Sequence, residues 1–190
     1  EAINNGAELL RPFNVKRIYK HDKVWQITDD KNNQLEARTV VIADGSHSPW
    51  PKLFNLGPKS QHHAFTTSVR LEGRGNIKPG TTRFEFGLVH HGFAWAFPIA
   101  GGVNVGLGTF IGKNSVDTDE ILSQFLPSLG FHPKDGIKQE SLLRVWNGHS
   151  HLNGDGILAI GDAASLCDPF LAEGLRPALM SGIEAANSLN

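Results

Sequence analysis

The sequence predicts an α/β fold, α+β in parts, in which a partial parallel sheet is joined to an antiparallel sheet. Two continuous apolar runs, 39–43 and 157–160, lack polar alternation, as is typical of parallel strands buried on both faces. Between these runs, residues 62–108 alternate apolar with polar side chains, which is typical of antiparallel strands. We therefore predict a first domain that is interrupted by an antiparallel domain. The predicted spans are 1–58, 59–140 and 141–190.

Composition and charge exclude several classes of protein. The 190 residues carry a net charge of -1 with both signs interspersed, so we expect no nucleic-acid partner. No apolar run approaches the roughly 18 residues of a membrane-spanning helix. The single cysteine, Cys167, cannot form an internal disulfide and fits a reducing, cytoplasmic location. The chain begins at Glu1 in mid-fold, so we expect it to be part of a longer polypeptide whose N-terminal portion is its partner.

The N-terminal residues predict a small antiparallel meander rich in β-forming residues. The strand candidates are residues 8–10, 15–19, 24–28 and 35–38. The apolar run that follows ends in Asp44-Gly45, with Ser48 close behind. Taken alone, Asp-Gly after a strand is a common turn, because this dipeptide favours the required backbone angles.

The predicted antiparallel sheet presents an aromatic face. Phe93, Trp95 and Phe97 alternate before Pro98, and Phe84 and Phe86 alternate on the preceding strand. Gly106 and Gly108 leave a face of a further strand bare. Such a wall suits an apolar ligand that lies flat, although alternating aromatic residues are also ordinary in a protein core. Farther along, Asp117 with Glu120 predicts the capped start of a helix.

The second apolar run ends in Gly161-Asp162, and a loop containing Pro169 leads to a helix predicted to begin near Gly174. In open α/β sheets, ligands bind at the carboxyl ends of the strands, where a carboxylate can accept hydrogen bonds from sugar hydroxyls. One helix face carries only small side chains. An ordinary strand, loop and helix with a capping Asp is the alternative interpretation.

The residues Gly161-Asp162-Ala163-Ala164, Pro169, Glu173-Gly174 and Ser181-Gly182 resemble the second flavin-binding motif of FAD-dependent oxidoreductases related to p-hydroxybenzoate hydroxylase. The resemblance is closest to their geranylgeranyl reductase branch. It implies that Asp162 holds the ribityl chain and that backbone N–H groups of Gly174 and Leu175 meet the flavin. Ala172 stands where the family usually has glycine. Asp44-Gly45 with Ser48 resembles the third motif of these proteins. The implied cofactor-binding residues are Asp44, Gly45, Gly161, Asp162, Pro169, Ala172, Gly174 and Leu175.

The aromatic strand resembles the substrate-domain signature of geranylgeranyl reductases, with a phenylalanine in place of its tyrosine. The implied substrate-binding residues are Phe93, Trp95, Phe97, Pro98, Gly106 and Gly108. The resemblance implies a partial Rossmann-like FAD domain and an apolar isoprenoid substrate, and it leaves open a peripheral contact with a membrane surface. NAD(P)H or another electron donor would reduce the flavin. No side chain is identified as the catalytic proton donor.

Two other functions remain open from the sequence: a flavin-dependent monooxygenase and a non-catalytic module that binds isoprenoid or lipid. The Gly-x-Gly-x-x-Gly motif that binds the pyrophosphate is absent from these residues, so we expect the isolated chain to bind FAD poorly and to be inactive. Nine histidines raise the question of a metal site. The adjacent pairs His62-His63 and His90-His91 point to opposite faces, and His149-x-His151 lacks a third ligand, so we predict none.

Overall fold

The fold is described from a computed structural model that defines residues 1–109, 117–148 and 150–189. The strands are β1 Val15–His21, β2 Val24–Asp29, β3 Gln34–Ala37, β4 Val40–Ile42, β5 His62–Glu72, β6 Arg83–Phe86, β7 Gly92–Ile99, β8 Gly102–Thr109, β9 Ile137–Val145, β10 Asn153–Gly154 and β11 Ile157–Ala159. The α-helices are α1 Trp50–Leu53, α2 Thr118–Ser128 and α3 Leu175–Leu189. Within the described ranges, no helix has both the length and the apolar character needed to cross a bilayer.

The N-terminal meander forms as predicted, in the order β1-β2-β3 with antiparallel pairing. One face contributes Ile18 and Trp25 to a buried cluster that also contains Ile42 and Ile157. The Trp25 indole N–H donates to the carbonyl of Asp155 at 3.2 Å, which ties the meander to the β10–β11 turn. The predicted strand at 8–10 is wrong: these residues are exposed coil with no partner strand in the described structure.

The two apolar runs pair side by side in a parallel arrangement. Val40 lies opposite Ile157 and Ile42 opposite Ala159, and the Ile160 N–H extends the ladder by donating to the Ile42 carbonyl at 3.0 Å. The sheet order is β10-β11-β4, so β4 is an edge strand within the described residues. The expectation that both strands are buried on both faces is wrong for β4, because Val41 is 40% exposed.

The antiparallel sheet has the order β6-β7-β8-β5-β9. One face packs against α2 and buries Val103, Val105 and Leu107 beside Phe125 and Leu126. The Asp117 carboxylate accepts the backbone N–H groups of Asp119 and Glu120, so the predicted N-cap of α2 is confirmed. This helix covers one face of the sheet and leaves the aromatic residues on the other.

Strand β9 joins the antiparallel sheet to the parallel one. It pairs with β5 as far as Val145, which lies opposite His62. Val145 also forms a parallel bridge with Cys167, and the Trp146 N–H donates to the Cys167 carbonyl at 2.8 Å. The segment that follows β11 is therefore held against the end of β9. The domain boundary at residue 140 stays a prediction, and β9 runs across it.

Candidate functional site

The carboxyl ends of β4 and β11 meet at one edge of the parallel sheet. Asp44-Gly45 follows β4, and a single 3-10 turn, Gly161–Ala164, follows β11. Because the two strands are parallel neighbours, these segments lie side by side. Gly45, Gly161 and Asp162 line one cavity of about 450 Å³. Its other lining residues are Ala43, Leu143, Ile160, Cys167, Ala172, Gly174, Leu175 and Ala178.

The Asp162 carboxylate is half-buried at this edge. Burial raises the pKa of Asp162 above the usual aspartate value, since desolvation disfavours the charged form. The carboxylate forms no ion pair within the described ranges. A partly desolvated carboxylate without a cationic partner is a suitable acceptor for ligand hydroxyl groups, whose hydrogen bonds would stabilise the charged form.

Helix α3 packs closely on the end of β11 because the residues at the contact are small. The Gly161 N–H donates to Ser181 Oγ at 3.0 Å, and a Cβ at Gly161 would lie 3.3 Å from the Ala178 Cβ. A Cβ at Gly174 would lie 3.2 Å from Asp162 Oδ1 and 3.7 Å from Cys167 Sγ. The missing side chain at Gly174 therefore leaves the carboxylate open to the cavity.

The first turn of α3 presents backbone donors beside Asp162. Glu173 Oε1 accepts the Arg176 N–H at 2.8 Å, as a helix cap does. The N–H groups of Gly174 and Leu175 donate to no backbone carbonyl in the described structure. Both residues line the cavity, and the positive end of the helix dipole lies there as well. Carbonyl-rich or anionic groups of a ligand match these donors.

Ala172 adopts a backbone conformation that favours glycine, with φ of +54°. This is the position where the resemblance leads one to expect glycine. We expect Ala172→Gly to stabilise the fold by up to about 1 kcal/mol, because relief of the left-handed strain exceeds the added chain entropy. Denaturant unfolding measures the change.

Ala186→Gly is the matched control for Ala172→Gly, because Ala186 is an exposed alanine in the last turn of α3 and its φ is not positive. This substitution should destabilise the protein by up to about 1 kcal/mol. A loss of stability in both variants would contradict the assigned strain at Ala172.

Cys167 is buried beside the same cavity. Desolvation, together with the charges of Asp162, Asp168 and Glu173, raises the pKa of the thiol to about 12. The reactive thiolate is therefore scarce at neutral pH. We expect iodoacetamide to modify Cys167 at least about a hundredfold more slowly in the native than in the denatured protein. Mass spectrometry of the Cys167 peptide measures both rates, and equal rates would show that the thiol is accessible.

A second, aromatic cavity of about 490 Å³ adjoins the first. Phe93, Trp95 and Phe97 form its wall on β7 together with Phe84 on β6, and their rings pack edge-on or stacked with centroids 5.3 to 6.0 Å apart. The remaining lining residues are Thr66, Leu143, Leu171, Ala172, Glu173, Gly174 and Leu175. Its size lies within the usual range for small-molecule sites, about 300 to 1,000 Å³.

The two predicted glycines support this wall. Gly106 lies opposite Trp95 and Gly108 opposite Phe93 in the β7–β8 ladder. A Cβ at Gly106 would lie 2.5 Å from the Trp95 ring, so only glycine lets the indole lie flat on β8. The indole N–H donates to Asn104 Oδ1 at 2.8 Å, which holds the ring in this orientation.

The two cavities share four lining residues: Leu143 on β9, Ala172 and Gly174 in the loop before α3, and Leu175 at the start of α3. These four residues form a common wall. Sequence reasoning missed Leu143 and Leu171. Leu143 carried the signal of strand alternation on β9, but nothing in the sequence shows that the 170–175 loop lies against the aromatic wall.

Five predicted site residues line neither cavity. Two of them, Gly106 and Gly108, are buried on β8 opposite Trp95 and Phe93. The other three, Asp44, Pro98 and Pro169, are exposed. Pro98 continues β7 beyond the aromatic wall, and Pro169 lies in the loop after Cys167. Their predicted ligand contacts stay predictions.

Another cavity, of about 510 Å³, lies between β5, β9 and Phe131 and shares no lining residue with the other two. It contains none of the sequence motifs. In the described part of the chain, no group of three or more potential ligand side chains is placed to hold a metal ion. His149, part of the histidine pattern considered above, lies outside the described residues.

Two reductases are similar in sequence to this chain. A digeranylgeranylglycerophospholipid reductase of Thermoplasma volcanium is 30% identical over 172 residues, which cover 82% of this chain and 42% of the relative. The enzyme of the same name from Thermoplasma acidophilum is 30% identical over 186 residues, covering 89% and 46%. This chain belongs to the geranylgeranyl reductase family of FAD-dependent oxidoreductases. No protein-family model matches the sequence.

A reductase with a different name is also similar to this chain. A menaquinone reductase of Mycobacterium tuberculosis is 26% identical over 209 residues, covering all of this chain and 50% of the relative. The chain spans about half the length of the curated relatives it matches.

Solved structures support the fold. A geranylgeranyl bacteriochlorophyll reductase-like protein of Thermoplasma acidophilum superimposes with a TM-score of 0.76 at 24% identity, covering 91% of this chain and 47% of that one. A flavin-dependent brominase gives a TM-score of 0.72 at 18% identity, covering 98% and 52%.

Proposed function

We propose that the whole protein binds FAD and reduces carbon–carbon double bonds of an isoprenoid chain. The observation that carries the proposal is the shared wall of the two cavities at Leu143, Ala172, Gly174 and Leu175. A cofactor beside Asp162 and an apolar chain along Trp95 would both contact these four residues and would therefore lie close to each other. The related reductases are named for their substrates, digeranylgeranylglycerophospholipid and menaquinone.

The cofactor-side residues fit the central part of FAD. Asp162 is a half-buried carboxylate without a cationic partner in the described ranges, and it can accept hydrogen bonds from ribityl hydroxyls. Gly174 and Leu175 offer N–H groups that suit the carbonyls of a flavin ring. When bound and reduced, FAD would supply a hydride to one carbon of the double bond, and a proton from water or from a residue elsewhere in the whole protein would complete the reduction at the other carbon.

The aromatic cavity would orient the isoprenoid and keep water from it. Its wall of four rings offers flat apolar surface, and the Trp95 indole is held in place by Asn104. Burial of a chain along such a surface contributes about 25 cal/mol for each Å² of apolar area removed from water. NAD(P)H or another donor would supply the electrons. The apolar substrate also leads us to propose that the protein meets it at a membrane surface.

A direct test uses the whole protein loaded with FAD and reduced without oxygen. Incubation with a geranylgeranyl lipid should yield products heavier by one H2 for each reduced double bond, measured by mass spectrometry. The same lipid with saturated chains is the control and should remain unchanged. Oxygenated products formed only in air would favour a monooxygenase. Lipid binding without bound FAD would favour the non-catalytic module.

A further inference from the structure

Residues 143–146, at the end of β9, contact segments on both sides of the cavity lined by Gly45, Gly161 and Asp162, which we call the cofactor cavity. Leu143 lines the two cavities on one side of the strand. Val145 and Trp146 hold the backbone of Cys167, which lies in the segment after Asp162. Arg144 points to the opposite side of β9 and reaches Ser48, in the segment after Asp44.

The Arg144 guanidinium is buried with few partners. The residue is 9% exposed, and Nη2 donates to the Ser48 carbonyl at 2.8 Å. Nε and Nη1 have no hydrogen-bond partner among the described residues. Burial lowers the pKa of Arg144, while the charge of Asp44 acts in the opposite direction. Arginine nevertheless remains cationic in proteins, so a charge is kept here at a desolvation cost.

Ser48, which Arg144 contacts, joins the turn that contains Gly45 to the start of α1. Ser48 is 2% exposed, and its N–H donates to the Gly45 carbonyl at 3.1 Å. Its hydroxyl accepts the Trp50 N–H at 3.4 Å, at the start of α1. Arg144 therefore contacts a segment that hydrogen bonds join from Gly45 to α1.

We propose that Arg144 is a positioning residue for the cofactor. Arg144 holds the Gly45 turn against β9, so that Gly45 and Asp162 line one cavity. The proposal rests on the proposed function, since it takes FAD to be the occupant of that cavity. A buried charge that serves only the stability of the fold could be replaced without a specific effect on the cofactor.

The test compares Arg144→Ala and Arg144→Lys with Arg70→Ala in the whole protein. Arg70 is an exposed arginine on β5 and lines neither of the two cavities, so it is the matched control. We expect Arg144→Ala to weaken FAD binding at least about tenfold, the effect of one charge-assisted hydrogen bond. Arg144→Lys should recover part of the affinity. Arg70→Ala should bind FAD as the unsubstituted protein does. Flavin fluorescence measures the dissociation constants.

Chemical rescue separates positioning from general stabilisation. Added guanidinium ion should restore FAD affinity in Arg144→Ala and leave Arg70→Ala unchanged. The KM for the isoprenoid should stay near that of the unsubstituted protein, because Arg144 does not line the aromatic cavity.

Unchanged FAD affinity in Arg144→Ala, or a loss that guanidinium does not restore, would overturn the proposal. If Arg144→Ala fails to fold, normal affinity in Arg144→Lys would overturn it and a loss of affinity in that folded variant would support it. Failure of the unsubstituted protein to bind FAD would instead contradict the proposed function.

Discussion

Replacement of Asp162 by alanine should remove FAD from the whole protein and abolish its turnover. The carboxylate lines the cofactor cavity without a cationic partner in the described ranges, so ligand hydroxyls are the groups that it can bind. A hydrogen bond to a charged group contributes about 1.5 to 3 kcal/mol, so each lost bond should weaken FAD about 10- to 100-fold. Flavin absorbance of the purified variant and equilibrium titration with FAD measure the loss.

Asp162→Asn separates cofactor binding from folding. The pKa of Asp162 is raised by burial, so the folded state disfavours the ionised form relative to the unfolded state. This penalty is absent at a pH below the unfolded pKa and is fully present once the pH exceeds the folded pKa. Without FAD, Asp162→Asn should therefore be at least as stable as the unsubstituted protein at neutral pH, and this advantage should disappear in acid.

Thermal unfolding across a pH series measures that advantage, and FAD titration of the same variant measures the cost to binding. A variant that is both more stable and weaker in FAD binding is the expected result. If Asp162→Ala retains stoichiometric flavin, Asp162 does not hold the cofactor.

A side chain at Gly106 should damage both the fold and the aromatic cavity. A Cβ there would lie 2.5 Å from the Trp95 ring and 2.8 Å from the Ser68 Cβ. The ring cannot move away without straining or breaking its hydrogen bond to Asn104. We expect Gly106→Ala to destabilise the protein by about 1 to 3 kcal/mol, as overpacked cores do. It should also raise the KM for the isoprenoid, because Trp95 is displaced into the cavity.

Gly154→Ala is the matched control for this substitution. Gly154 is a strand glycine at which an added Cβ meets nothing within 4 Å, and its φ is not positive. This variant should keep the stability and kinetics of the unsubstituted protein. Denaturant unfolding and lipid-reduction assays compare the two. A Gly106→Ala protein with normal stability and normal KM would show that Trp95 does not form a fixed wall.

The sequence predicted the parts of the site that depend on local patterns. Two apolar runs that each end in an acidic residue and glycine predicted strands of a parallel sheet, and the structure adds that they are direct neighbours, with Val40 opposite Ile157. Alternation along residues 93–97 predicted the aromatic face of β7. Each of these features is written in a few consecutive residues.

Features that depend on distant contacts were not predictable in this way. The pairing of Arg144 with the Ser48 carbonyl joins residues 96 positions apart. The shared wall of the two cavities arises because the 170–175 loop lies against β7 and β9, which no local pattern specifies. Exposure of Val41 likewise depends on which strands lie beside β4, and not on the apolar character of its own residues.

The central claim is that one FAD lies at the joint end of β4 and β11, beside the aromatic wall. The most direct test is a crystal structure of the whole protein with FAD and an isoprenoid lipid bound. We predict that the ribityl hydroxyls lie within hydrogen-bonding distance of Asp162, that the flavin ring meets the N–H groups of Gly174 and Leu175, and that the lipid lies along Trp95. A flavin bound away from Asp162, or a lipid outside the aromatic cavity, would contradict the claim.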